Sequence, residues 1–148
     1  EHFVGITSQD WHPPVGRAGA RLSARQLSAT ALAVAAPAAT FHGSVEGMLA
    51  KLKLTDSTVV RARHYGALPD LVARSDMMAI VPQMYANSLT PRYPIRIWEL
   101  ADHGPHYSVR MLWHQTASTD LAHTWLRSVI RGLFARPGEV KPPLQAQK

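Results

Sequence analysis

Hydrophobic and polar positions change period twice within residues 58–82, and this stretch organises the rest of the chain. Residues 58–64 alternate with a period of two, which predicts a strand with Thr58, Val60, Ala62 and His64 on one face. Leu68, Leu71 and Val72 then recur at helical spacing, and Pro69 suits a first helical turn. The apolar run 77–81 is typical of a strand covered on both faces of a parallel sheet. The segment therefore predicts a β-α-β unit in which His64 ends a strand on its buried side.

The same patterns predict elements along the rest of the chain. Further strands are expected at residues 2–8, 31–36, 95–100 and 107–113. Further helices are expected at residues 23–29, 44–52, 84–89 and 120–135, with Ser23 and Ser44 as N-caps. The alternation of strands and helices predicts a mostly parallel α/β sheet with right-handed crossovers. The last strand and helix do not fit that sheet and indicate a second layer or lobe, followed by a disordered tail at 137–148.

Length and composition bound the class of protein. The chain has 148 residues, of which 46% are hydrophobic and 18% charged, enough for one ordinary domain with a core but not for two. The absence of cysteine excludes disulfides and thiolate metal sites. No apolar run approaches the roughly 20 residues that span a bilayer, and residues 1–10 do not resemble a secretory signal. The expected compartment is the cytoplasm, without membrane contact.

A formal net charge of +6 raises the question of nucleic-acid binding. The basic residues are spread along the chain and form no dense stripe interleaved with aromatic residues. Direct nucleic-acid binding by this chain is therefore not expected.

Residues 40–44, ahead of a predicted helix, are the first candidate for ligand chemistry. The amide groups at a helix start lack partners and attract an anion such as a carboxylate. Thr40 and His42 offer hydrogen-bond donors, and Gly43 lets the backbone come close. Phe41 offers a ring for stacking on an aromatic ligand. A capped helix with a surface histidine explains the same residues without a ligand.

Histidines supply the second candidate. In a doubly wound sheet the strand ends line one crevice, so His64 and His42 are expected to face the same space from adjacent loops. His2, at the start of another strand, is a weaker third member, and a satisfied core histidine is the alternative for His64. Neither these spacings nor the pair His103 and His106 forms a local metal signature, so no metal or cofactor is expected.

Motifs for catalysis are missing from the sequence. It contains no G-x-S-x-G elbow, no paired carboxylates, no G-x-G-x-x-G and no P-loop. The prediction is therefore a small-molecule binding protein rather than an enzyme.

Several segments together resemble the effector-binding domain of LysR-type transcriptional regulators. Residues 56–86 are similar to the strand-helix-strand segment of that family. Residues 113–127 match its closing signature, WH followed by D-x-A-H-x-WLR, and residues 10–15, DWHPPV, resemble its D-HP-L crossing segment. Residues 41–46, FHGSVE, are similar to the G-H-G-x-V-D loop of regulators that respond to salicylate-like acids.

The resemblance implies an α/β fold like that of a type 2 periplasmic binding protein, with a small acid bound between two lobes. Residues 1–136 would be part of such a domain, with 10–101 as the complete second lobe and 107–135 as the returning strand and helix of the first. The winged helix-turn-helix, the linker helix and about half of the first lobe would lie outside this chain.

The resemblance also implies an effector, a site and partners. The effector would be an aromatic carboxylate, with its acid on the helix start and its ring against Phe41. The implied ligand-binding residues are His2, Thr40, Phe41, His42, Gly43 and His64. The domain would form a homo-oligomer, a dimer, and reach DNA only through the missing winged helix-turn-helix.

Two other functions fit the same sequence. One is a freestanding small-molecule binding protein without a DNA module, and the other is a truncated regulator fragment that acts only by oligomerisation. Under any of the three, the apolar stripe of the helix at 120–135 would remain partly exposed in an isolated chain. The stripe is therefore predicted to be buried by another chain or by a swapped element.

Overall fold

The computed structural model describes residues 1–35, 42–100 and 106–134, with the main chain alone for residues 42–44 and 46. The chain divides into two compact units, residues 1–109 and 110–148.

The first unit is a sheet with helices on both faces. Its strands are β1 (Phe3–Ser8), β2 (Arg21–Leu22), β3 (Leu32–Ala35), β4 (Thr58–Ala62), β5 (Met78–Pro82) and β6 (Ile95–Leu100). Its helices are α1 (Ala24–Ser28), α2 (His42–Lys51), α3 (Leu68–Ala73) and α4 (Gln83–Leu89), and Thr55–Ser57 and Tyr65–Ala67 form 3-10 turns. The strand order is β2-β6-β1-β5-β3-β4.

The mostly parallel sheet expected from the sequence is confirmed, with one reversed strand. β3 runs parallel to β4 and β5, and β2 runs parallel to β6. β1 lies antiparallel between β5 and β6. The start of β1 therefore lies beside the carboxyl ends of the other strands.

The period of two along the central strands divides the core into two clusters, one on each face of the sheet. Phe3, Leu32 and Met78 pack with α1 and α2 on one face. Their chain neighbours Val4, Ala33 and Ala79 pack with α3 and α4 on the other. The continuous apolar run of β5 is buried on both faces, as its sequence predicts.

Two buried features hold β1 in place. A Cβ built at Gly5 would lie 2.6 Å from the Sδ atom of the fully buried Met78, so the Met78 side chain occupies the space that a side chain at position 5 would need. The indole nitrogen of Trp98 in β6 donates a hydrogen bond of 2.8 Å to the buried hydroxyl of Thr7. Packing and a buried polar pair thus fix β1 between its two neighbours.

The β-α-β unit is confirmed, but the position of His64 is not. α3 has Pro69 in its first turn and buries Leu68 and Val72. β4 ends at Ala62 and the chain bends away from the sheet, so His64 is exposed instead of lying on the buried side. Among the described residues β4 is the edge strand of the sheet, so its side chains are covered less than those of the central strands.

The two predicted caps have different outcomes. Ser23 caps α1 through a reciprocal capping box with Gln26, as expected. α2 begins at His42, so Ser44 lies inside its first turn and the prediction of Ser44 as the cap is wrong. Because α2 begins two residues before Ser44, the first-turn amides that could bind an anion start at His42.

The strand predicted at residues 107–113 is absent, and that prediction is wrong. Tyr107 exchanges two main-chain hydrogen bonds with Glu1, of 2.9 and 3.2 Å. Beyond Tyr107, the described residues offer no neighbouring strand that completes a ladder, so the alternating side chains stay extended without sheet pairing.

The second unit contains α5 (Leu121–Phe134). Arg127 is buried, donates to the carbonyls of Ala117 and Ser118, and lies over the ring of Trp113 at 4.9 Å. Trp113 of the WH motif and Arg127 of the WLR motif are thus in contact, and Arg127 connects α5 to the segment before it. The predicted tail at 137–148 lies outside the described residues, and none of the helices within them is long and apolar enough to cross a membrane.

Candidate functional site

The carboxyl ends of five strands and the start of β1 lie along one edge of the sheet, which we call the carboxyl edge. In the register, Phe3 of β1 pairs with Pro82 at the end of β5. α2 and α4 follow strands that end at this edge, and α3 follows β4 after the turn at Tyr65–Ala67. The ten-residue α2 presents first-turn amides that have no acceptor within the helix, and these favour an anion.

Two histidines and a glutamate meet at the carboxyl edge beside β1. The Nε2 atom of His2 lies 3.3 Å from Oε2 of Glu99, which is near the end of β6. Because an ionised carboxylate only accepts hydrogen bonds, Nε2 carries the proton in this contact. The ring of His106 lies 5.3 Å from that of His2, centroid to centroid. A side chain from the start of the chain therefore forms one cluster with two from the end of β6 and the segment that follows it.

Glu1 and Tyr107 lie next to this cluster. Their two main-chain hydrogen bonds hold the segments side by side, and the Tyr107 ring lies 5.3 Å from that of Phe3. The carboxylate of Glu1 accepts a hydrogen bond of 2.9 Å from the main-chain amide of Met84 in α4. The carboxylate of Glu1 therefore already has a hydrogen-bond donor within the protein.

Tyrosine hydroxyls supply neutral polar groups at this edge. Burial raises the pKa of Tyr107 to about 12, and the nearby Glu1 and Tyr65 add to the rise. Burial also raises the pKa of Tyr65 and of Tyr85, whose rings lie 5.6 Å apart. All three phenols therefore stay protonated near neutral pH and can donate or accept a hydrogen bond.

The structure describes part of the site predicted from the sequence. His2 is partly buried at the start of β1, and His64 is exposed after β4. His42 and Gly43 lie in the first turn of α2, where the main chain alone is described. Thr40 and Phe41 lie outside the described residues. Since β3 and β4 are neighbours, the start of α2 and His64 follow adjacent strands, the arrangement that the doubly wound pattern leads us to expect.

Sequence reasoning missed the partners of His2. Glu99 is the one acidic residue of β6, whose other residues are apolar or basic. This exception in the sequence could have identified it as a candidate functional residue. Tyr65 directly follows His64, but its ring pairs with Tyr85, 20 positions later. The contact of His2 with Glu99 spans 97 positions and could not be read from local pattern.

A depression lies at the opposite edge, where β3 and β5 begin, and we call this the amino edge. It has a volume of about 510 Å³ and is lined by Asp10, Trp11, His12, Pro14, Ala29, Thr30, Ala31 and Asp76. The indole nitrogen of Trp11 donates to the main-chain carbonyl of Asp76 at 3.0 Å. The side chains left to meet a ligand include two carboxylates, which oppose an anion.

Metal-ligating residues do not cluster in the described ranges 1–35, 42–100 and 106–134. No group of three or more histidine, aspartate or glutamate side chains there is arranged to hold a metal ion. His103, one of the weak candidates from the sequence, lies outside these ranges.

Comparison with known sequences extends over nearly the whole chain. The profile of the family described as LysR substrate binding domain matches residues 1–135. NahR of Pseudomonas putida, an HTH-type transcriptional activator, is 26% identical over 97 residues, which cover 66% of this chain and 32% of NahR. The match thus spans about a third of the length of that curated relative.

Solved structures share the fold. The regulatory domain of MexT, a transcriptional activator in Pseudomonas aeruginosa, superposes with a TM-score of 0.60 at 21% identity, covering 88% of this chain and 60% of that one. The effector-binding domain of QuiR, in complex with shikimate, gives a TM-score of 0.60 at 12% identity, covering 86% and 61%. These likenesses confirm the α/β architecture of the type 2 periplasmic-binding-protein kind that the sequence led us to expect.

Proposed function

The chain belongs to the LysR substrate-binding domain family, and on that premise we propose that it is the effector-sensing part of a LysR-type transcriptional regulator. Domains of this family bind effectors and are in general not enzymes. In the proposal, a small aromatic carboxylic acid binds at the carboxyl edge and shifts the arrangement of a dimer in the cytoplasm. DNA is contacted by a winged helix-turn-helix in a part of the regulator outside these 148 residues.

The observation that carries the proposal is the gathering of imidazoles and neutral phenols at the edge where α2 begins. His2 and His106 lie together, and Tyr107 and Tyr65 stay protonated near neutral pH. Donors of this kind suit the oxygen atoms of a small acid, and the first turn of α2 suits its negative charge. The carboxylate of Glu1 is already bound to a main-chain amide and that of Glu99 to an imidazole.

The proposed ligand contacts follow the expectation from the sequence. The acid lies on the start of α2 and on the histidines, and the aromatic ring lies against Phe41. The residues proposed to bind the effector are His2, Thr40, Phe41, His42, Gly43 and His64. Support comes from the adjacency of β3 and β4 and from QuiR, which binds shikimate, itself a small carboxylic acid.

Calorimetric titration of the purified chain with benzoate and salicylate tests the proposal. We expect saturable binding by the wild type and an affinity lower by about tenfold or more in His42→Ala, because hydrogen bonds to charged groups contribute roughly 1.5–3 kcal/mol. His12→Ala is the matched control, since this histidine lies at the amino edge and should leave the affinity unchanged. Absence of binding at millimolar ligand, or equal loss in both variants, contradicts the proposed site.

A further inference from the structure

The contact with Glu99 determines which nitrogen of the His2 ring is left for a ligand. Nε2 of His2 donates its proton toward Oε2 of Glu99, at 3.3 Å. Nδ1 has no hydrogen-bond partner among the described residues. No buried side-chain nitrogen or oxygen of these residues lacks a partner, so Nδ1 is open to solvent. A ligand that hydrogen-bonds to His2 therefore meets Nδ1.

A neutral His2 cannot bind an acid through this nitrogen. With the proton on Nε2, Nδ1 of a neutral imidazole has a lone pair and no hydrogen, so it only accepts hydrogen bonds. An ionised carboxylate also only accepts. The two acceptors can bind each other only when one further proton lies between them, whether that proton is assigned to the ring or to the acid.

The surroundings of His2 suit one added proton. The carboxylate of Glu99 stabilises the imidazolium that the proton creates, whereas the ring of His106, 5.3 Å away, disfavours a second positive charge. Residues 82–84, which bind the main chain of His2, are uncharged. The other titratable groups described beside the cluster are the amino group and the carboxylate of Glu1, both hydrogen-bonded within the protein, and the protonated phenols of Tyr107 and Tyr65.

We propose that the effector binds together with one proton held at Nδ1 of His2, and that Glu99 is the positioning residue that creates this requirement. Glu99 fixes the proton of the neutral ring on the nitrogen that the ligand does not contact, and its charge balances the imidazolium in the complex. The proposal rests on the proposed function, because it describes how the same edge binds its acid. The affinity for a carboxylate thus rises as the pH falls through the range in which histidines titrate, about pH 5–8.

Calorimetric titration of the 148-residue chain with benzoate measures the linked proton. Titrations at one pH in buffers of different ionisation enthalpy give the number of protons taken up with each ligand. Titrations at several pH values give the change in the dissociation constant. At about pH 8 we expect uptake of close to one proton per benzoate, and an affinity about five- to tenfold lower than at pH 7, because one linked proton changes a binding constant by up to tenfold per pH unit.

Glu99→Gln tests whether the glutamate sets this requirement. The variant nearly keeps the size of the side chain but presents an amide that can donate to Nε2. A neutral His2 can then carry its proton on Nδ1 and bind the carboxylate without taking a proton from the buffer. Proton uptake should therefore fall close to zero, and the affinity should change by less than about twofold between pH 7 and pH 8. His12→Gln is the matched control, since this histidine lies at the amino edge, and it should retain the proton uptake of the wild type.

The possible outcomes separate this inference from the proposed function. If the wild type binds benzoate equally well at every pH and takes up no proton, the inference is overturned and the proposed function stands. Proton uptake that persists in Glu99→Gln or in His2→Gln also overturns it, since another group then holds the proton. If benzoate does not bind the wild type at any pH, both fail together.

A measurement on the wild type alone decides if Glu99→Gln does not fold by circular dichroism. Nitrogen-15 magnetic resonance reports which ring nitrogens of a histidine carry a proton, and His2→Gln identifies the signals of His2. At about pH 8 we expect a proton on Nε2 alone in the free chain and on both nitrogens in the complex with benzoate. A free chain with the His2 proton on Nδ1, or a complex in which Nδ1 has none, contradicts the inference.

Discussion

The two edges of the same sheet carry similar residue types but are suited to different ligands. At the carboxyl edge, Glu99 is paired with His2, Tyr107 adds a neutral hydroxyl beside β1, and α2 begins. At the amino edge, Asp10 and Asp76 line a depression of about 510 Å³ beside His12. The first edge offers donors to an acid, whereas the second presents carboxylates and the ends of α1 and α3.

The difference teaches that a cavity alone does not identify an anion site. The depression at the amino edge has room for a small acid, but its Trp11 donor is already used by the carbonyl of Asp76. The direction of the strands decides the electrostatics, because helices that follow parallel strands begin at the carboxyl edge. The reversed β1 adds His2 to that same edge.

The largest expected effect concerns the exposed apolar face of α5, which neither edge of the sheet includes. On α5, Leu121 is 86%, Trp125 67% and Leu133 72% exposed within the single chain. We expect the chain to associate through this helix. Replacing Trp125 and Leu133 together by glutamate should weaken association by about 3 kcal/mol, roughly 100-fold in the dissociation constant, because burying each large apolar side chain contributes about 1.5–3 kcal/mol.

Light scattering over a range of protein concentrations measures this association. Ser128→Ala is the control, since it changes an exposed polar residue of the same helix. A wild-type chain that stays monomeric at high concentration would show that α5 needs no partner.

A substitution in β1 should disturb both edges together. Gly5→Val places a side chain where a Cβ already lies 2.6 Å from the Sδ atom of buried Met78, so the Met78 side chain must shift within a close-packed core. We expect the free energy of unfolding to fall by about 1–3 kcal/mol, the usual cost of overpacking. Urea unfolding followed by circular dichroism measures the loss.

Gly66→Ala is the matched control for this experiment. Gly66 lies in the turn after β4, and a Cβ there meets nothing within 4 Å. The control should unfold at the urea concentration of the wild type. If Gly5→Val does so as well, β1 is not held by close packing against Met78.

The smallest expected effect is a dependence of stability on alkaline pH that arises at the carboxyl edge. The pKa of Tyr107, about 12, lies above the ordinary tyrosine value of 10.0, so folding favours the neutral phenol. This contribution is fully present below pH 10 and is lost as the pH rises toward 12. Thermal unfolding of Tyr107→Phe should vary less with pH in that range, and its tyrosinate absorbance should lack the last titrating step. Identical profiles for the two proteins would contradict the assignment.

Local pattern was sufficient for most of the fold. The apolar run of β5, the proline at the start of α3 and the box formed by Ser23 and Gln26 each act within a few residues, and all were predictable. The resemblance of the motifs to the family predicted the architecture. The structure gives a role to the arginine of the WLR motif, because Arg127 donates to the carbonyls of Ala117 and Ser118 before α5.

Pairing over long distances set the limit of prediction. The reversed direction of β1 and the contact of His2 with Glu99 depend on strands that are about 90 positions apart in sequence. The alternation at 107–113 predicts a strand. A strand also needs a neighbouring strand to pair with, and this segment has none among the described residues. His64 is exposed because β4 ends at Ala62 and the chain bends at residues 63–64.

The most direct test of the central claim is a nuclear magnetic resonance titration that follows the histidine ring protons with increasing salicylate or benzoate. Both edges report in one spectrum, because His2 and His106 lie at the carboxyl edge and His12 lies at the amino edge. We predict saturable shifts for His2 and His106 with a common dissociation constant and no shift for His12. A saturable shift of His12 while His2 and His106 stay unchanged would contradict the account.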